Sequence, residues 1–136
     1  MDTWIPTPTV LLYRIEGPAR RRMVRAYLDQ AGIRAVEVPP ADWHQPLGTL
    51  LELPGFARVP GPFPGGAVEE EMLVMFAFRE NMLGDFLQFF RDHGLPSVGL
   101  KAMATPTNLQ WTSLRLYEEL RKERAWFAAR KPKEKL

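Results

Sequence analysis

This sequence has no cysteine. Disulfides, thiolate metal sites and a cysteine nucleophile are therefore excluded. Histidine is nearly absent too: His44 and His93 are the two in the chain. They stand far apart, and neither belongs to an H-x-x-x-H or H-E-x-x-H spacing, so no metal is expected. No apolar run approaches the ~20 residues that span a bilayer, which argues against a membrane partner. The first residues, "MDTWIPTPTV", lack the basic then apolar order of a signal peptide, and a cytoplasmic location is expected. Neither G-x-x-x-x-G-K-[ST] nor G-x-G-x-x-G occurs. Without such a loop to cradle phosphates, no nucleotide or other cofactor is expected.

What is present is ordinary globular material. The 136 residues are one domain's worth, 46% hydrophobic and 25% charged, with a net charge of +2. That charge is too small to indicate nucleic acid, although it is unevenly spread. Four arginines fall between Arg20 and Arg25, and residues 121–136 hold seven Lys or Arg against two Glu. Cations at the end of a helix suit its negative pole, so solvated helix ends explain both runs more economically than a polyanion does.

Strand and helix patterns alternate. Apolar runs predict strands at 9–15, 33–38, 72–78 and 98–104. The third, "MLVMFAF", shows no polar alternation and reads as a central strand. Helices are expected from Pro18 to a stop at Gly32, from about Arg79 to a stop at Gly94, and from about Asn108 to Ala129. Residues 54–68, "PGFARVPGPFPGGAV", have no period and read as a mobile Pro/Gly loop, a natural lid. Residues 123–136 are a basic helix end and tail. No internal repeat or linker divides the chain, so it reads as a single α/β domain over 1–136. Helical crossovers imply parallel strands in the order 2-1-3-4, a small four-stranded, mostly parallel sheet with helices packed on its faces. Lys101 then lies on an edge strand, where lysine blocks unwanted pairing.

The segments "EEEMLVMFAF", "FLQFFRDHGLP" and "VGLKAMATPTNLQWTSLRLYEEL" resemble bacterial proteins grouped as domain of unknown function 3783. The resemblance runs through "LLYRIEG", "AGIRAVEV" and "PLGTLLELPGF", covering about residues 9–122. It implies one small α/β domain and no particular chemistry.

In an open parallel sheet, ligands sit beyond the carboxyl ends of the strands where the strand order reverses. Here that point falls between strands one and three. Glu16 and Arg79 would be delivered there, with Lys101, Thr105, Thr107 and Asn108 arriving from the neighbouring strand. A helix start beside Lys101 suits a phosphate or carboxylate. The same residues also read as plain caps, through a Thr107–Gln110 capping box, Asn108, or Thr105 before Pro106. The expected function is a small binding or regulatory domain recognising an anionic small molecule or a protein partner at this face. The alternative is a small enzyme with Lys101 or His44 working with Glu16 or Glu80 as acid–base groups. A third reading is nucleic-acid binding through the basic patches, with no recognised module to support it.

Overall fold

The computed structural model describes residues 6–130. Its strands are β1 (Thr9–Tyr13), β2 (Arg34–Glu37), β3 (Met72–Phe76) and β4 (Leu100–Met103). Its helices are α1 (Pro18–Gln30), α2 (Leu47–Leu50), α3 (Met82–Asp92) and α4 (Ser113–Arg130). The strands form one mixed sheet in the order β2-β1-β3-β4, mostly parallel, with helices packed on it. β3 is internal, as its unbroken apolar run requires, and β4 is an edge.

One expectation fails at the centre. β1 pairs in parallel with β2, and β3 with β4, but β1 and β3 run antiparallel. A strand–helix–strand crossover enforces parallel pairing, and it operates within each of those two pairs. The connection from β2 to β3 is different. It holds a 3₁₀ turn at Pro40–Asp42, the one-turn helix α2 and a long irregular segment, none of which fixes the direction of β3.

A second departure follows from that geometry, because the chain repeats its own plan. Strand, helix, strand, 3₁₀ turn and helix occur in that order twice, from β1 to α2 and from β3 to α4. The registers match position by position: Val10 pairs with Ala35 as Leu73 pairs with Lys101, and Leu12 with Glu37 as Met75 with Met103. Left-handed backbone recurs at the same spacing after each first strand, at Arg14 and Gly17, then at Ala77 and Glu80. The first helix of each unit stops in the same way. The amides of Gly32 and Ile33 bond Asp29 and Leu28, and those of Gly94 and Leu95 bond Arg91 and Phe90. The two units also touch through an antiparallel bridge between Pro46 and Thr112, one residue before α2 and α4.

The sheet has a core on each face. Val10, Leu12, Leu73 and Met75 pack under Val24 and Leu28 of α1 and Phe86, Phe89 and Phe90 of α3. Leu11, Tyr13, Met72 and Val74 face the other way, against Trp43, Leu47, Leu50, Leu116 and Tyr117. That alternation explains why all five residues of β1 are buried.

Residues 54–68 contain no helix or strand, and several contacts pin them. The buried Gln45 side-chain amide bonds Val59 twice, accepting from its N–H at 2.7 Å and donating to its carbonyl at 3.1 Å. Thr49 Oγ1 donates to the Ala57 carbonyl at 2.9 Å. Phe63 packs edge-on to Trp43, and Val68 is fully buried. The backbone between these anchors, around Gly61 and Gly65, is exposed. Residues 131–136, the last six of the basic segment 123–136, lie outside the described residues. Among the described residues, no helix is long and apolar enough to cross a membrane.

Candidate functional site

The antiparallel centre disperses the residues that parallel strands would have gathered. Glu16 follows β1, and its backbone amide donates to Glu71 just before β3, at 2.7 Å. Arg79 and Glu80 follow β3 at the opposite end of the sheet. Thr105, Thr107 and Asn108 follow β4, which is parallel to β3, and so share the Arg79 end. Lys101 is paired with Leu73 and lies on the face covered by α3. Its Nζ donates to the Val98 carbonyl. Among the described residues, no hydrogen bond joins Lys101 or His44 to Glu16 or Glu80, and no group of three metal-ligating side chains forms.

The turn after β4 is built from within. Asn108 is buried, and its Oδ1 accepts from the Thr105 amide at 2.8 Å. Its Nδ2 donates to the Met103 carbonyl at 3.1 Å, and the Asn108 amide donates to Thr105 Oγ1 at 3.2 Å. This exchange closes a 3₁₀ turn at Asn108–Gln110, so α4 starts at Ser113 rather than near Asn108. Thr112 takes the cap, its Oγ1 accepting from the Arg115 amide at 3.1 Å. Thr107 makes no side-chain cap bond. The helix start is therefore separated from Lys101 by the 3₁₀ turn.

A crevice of about 300 Å³ opens elsewhere, at the carboxyl ends of β1 and β2. Leu12, Ile15, Val38 and Trp43 supply apolar walls, and Arg14 and Arg21 reach it. Arg21 Nη1 donates to the Ile15 carbonyl at 3.1 Å, which holds the guanidinium at the mouth. Among the described residues, neither arginine has a carboxylate within ion-pair distance. Glu37 also borders the crevice, but Arg25 engages it at 2.7 Å. The start of α1 has no side-chain cap and borders a different hollow, which Gly17 and Arg20 share with Glu16, Glu69, Glu70 and Glu71. Trp43 is 4% exposed, and its indole Nε1 has no hydrogen-bond partner.

In the second unit, Ala77 replaces Arg14 and Met103 replaces Glu37. The charged lining is a property of the first unit alone. The sequence reading does not single out Arg14, and it takes Arg21 as one of the basic Arg20–Arg25 run rather than as part of a crevice. A signal is present in "YRIEGPARR", which sets arginines on both sides of the proline that opens a helix directly after a strand.

Glu70 and Glu71 are engaged by different arginines, Arg124 and Arg20. Arg124 donates twice to Glu70, at 2.9 and 2.8 Å, and this hydrogen bonding holds the Glu70 carboxyl below its ordinary value. On the far part of α4, Trp126 and Phe127 are exposed and meet edge-on, with Arg130 over the Trp126 ring.

The sequence model of a family described as a domain of unknown function (DUF3783) matches residues 71–127. That span is the second unit, from the residue before β3 into α4. The resemblance read from the sequence reaches further upstream, to residue 9, whereas the match begins at Glu71. No curated protein and no solved structure matches the chain.

Proposed function

We propose that this chain, whose second unit matches a domain of unknown function, is a binding or regulatory domain that takes an anionic small molecule at the carboxyl ends of β1 and β2. The observation that carries this reading is the pair Arg14 and Arg21 at an apolar-walled crevice with no carboxylate of their own. Unpaired guanidiniums suit a planar or tetrahedral anion. A strand–helix–strand unit commonly receives its ligand at this end. The crevice walls would take an apolar or ring-shaped body joined to the anion. A protein partner is the second reading, supported by the exposed Trp126 and Phe127 of α4.

The test is thermal melting at low salt with millimolar phosphate, sulfate and phenyl phosphate. Binding to the folded state alone raises the melting temperature. Arg14→Gln and Arg21→Gln should each reduce the shift, and the double variant should abolish it. A wild-type melting temperature indifferent to all three anions removes the reading.

A further inference from the structure

A second groove, of about 390 Å³, lies between the last turns of α3 and edge strand β4. Leu73, Leu87, Phe90 and Val98 make its apolar surface, and Leu73, Phe90 and Val98 are almost completely buried. Arg91 and Lys101 supply its cations. The plan shared by the two units shows how unusual Lys101 is. Its counterpart in the first unit is Ala35, which pairs with Val10 as Lys101 pairs with Leu73. The fold thus accepts a small apolar residue here, and this chain places an ammonium instead.

A lysine facing inward on an edge strand discourages edge-to-edge pairing, which explains its tolerance on β4. It does not explain the open groove around it. The Lys101 ammonium is partly withdrawn from water, donates to the Val98 carbonyl, and has no carboxylate partner among the described residues. A charge in apolar surroundings gains most from a counter-ion that arrives with its own apolar surface. Arg91 adds a second cation, oriented by two hydrogen bonds to Gln88 Oε1 at 3.2 and 2.8 Å.

We propose that this groove binds a monocarboxylate carrying an apolar chain, with Lys101 on the carboxylate and the Leu73, Phe90 and Val98 surface on the chain. The site is separate from the strand-end crevice and does not depend on it.

The probe is octanoate at low millimolar concentration, with octanol and acetate as controls for chain and charge. Octanoate should raise the melting temperature of the wild-type chain by more than either control. It should also shift the amide resonances of Leu87 and Val98. Lys101→Met keeps the unbranched stem and removes the charge, so it is expected to fold. It should weaken octanoate by about tenfold or more, the loss expected for one charge-assisted hydrogen bond, and leave octanol unaffected. The Arg14→Gln, Arg21→Gln double variant should keep the full octanoate response, which separates this result from the fate of the crevice. The proposal is overturned if octanoate gives no shift, if acetate or octanol matches it, or if Lys101→Met binds octanoate as tightly as the wild type.

Discussion

Arg20 and Glu71 form a two-pronged ion pair that ties α1 of the first unit to the start of the second. Nη2 meets Oε1 at 2.9 Å and Nη1 meets Oε2 at 2.5 Å, while Arg20 Nε also donates to the Pro96 carbonyl at 3.1 Å. One guanidinium thus gathers α1, the entry to β3 and the approach to β4. Burial opposes ionisation of Glu71, but hydrogen bonds from Arg20 and the Glu16 amide outweigh it and hold the carboxyl below its ordinary 4.5. A depressed carboxylate stabilises the fold above its unfolded pKa, and that stabilisation is lost as pH falls through the folded value. Glu71→Gln should therefore cost about 1–3 kcal/mol at pH 7. Urea unfolding at pH 7 and again well below pH 4.5 checks this, and the gap between wild type and variant should close in acid.

Tyr13 and Ser113 make the corresponding connection on the other face. Their hydroxyls lie 2.6 Å apart, both fully buried, joining β1 to the first residue of α4. Burial pushes the Tyr13 phenol well above its usual 10, with the Ser113 hydrogen bond opposing in part. Tyr13→Phe leaves the Ser113 hydroxyl unpartnered and should cost about 1–3 kcal/mol. A raised phenol pKa means stability is retained below the unfolded value and declines above pH 10. Chemical unfolding between neutral and alkaline pH should show a shallower decline in the variant.

Gly48 is required by its neighbour. A Cβ there would sit 2.5 Å from the Phe56 ring, which packs over the single turn of α2. Gly48→Ala should destabilise by about 1–3 kcal/mol through overpacking. It should also speed amide exchange between Leu53 and Val59, where Phe56 and the Thr49 and Gln45 bonds hold the loop. Hydrogen exchange on the variant measures both effects. A Gly48→Ala, Phe56→Ala pair should recover part of the loss due to the clash.

In the turn after β4, two adjacent residues should respond very differently. Asn108→Ala strips partners from the Thr105 amide and the Met103 carbonyl and should cost about 1–3 kcal/mol. Thr107 is exposed and makes no cap bond, so Thr107→Ala should change stability by less than about 0.5 kcal/mol. Paired thermal melts decide the contrast, and equal losses would contradict the assignment of the turn to Asn108.

The strands, their order and the central place of β3 were legible because burial pattern and helical crossovers are local properties. The direction of β3 was not, since Pro40 to Glu71 contains no crossover helix to enforce it. That single reversal separated Glu16 from Arg79 and emptied the expected meeting point. The repeat is not legible in the sequence for a different reason. It is written in backbone geometry, with Arg14 matched to Ala77 and Gly17 to Glu80, and side-chain identity conceals it. The helix stops at Gly32-Ile33 and Gly94-Leu95 were its clearest trace in the sequence. The buried cap of Asn108 was half legible. Its residue type announced a cap, but only the fold shows that the cap closes a 3₁₀ turn ahead of α4.

The antiparallel join of Thr9–Tyr13 to Met72–Phe76 has a consequence for how the chain folds. Within each unit, paired strands are separated by little more than one helix, and such short-range pairing closes early. The central join links residues from opposite halves of the chain and is closed later. Until then, each half carries a bare apolar strand, VLL in one and LVM in the other, with an unfilled row of amides and carbonyls. An equivalent strand from another molecule fits that edge as well as the chain's own does. Dilution during refolding therefore favours the monomer, and crowding favours exchange of halves between neighbours.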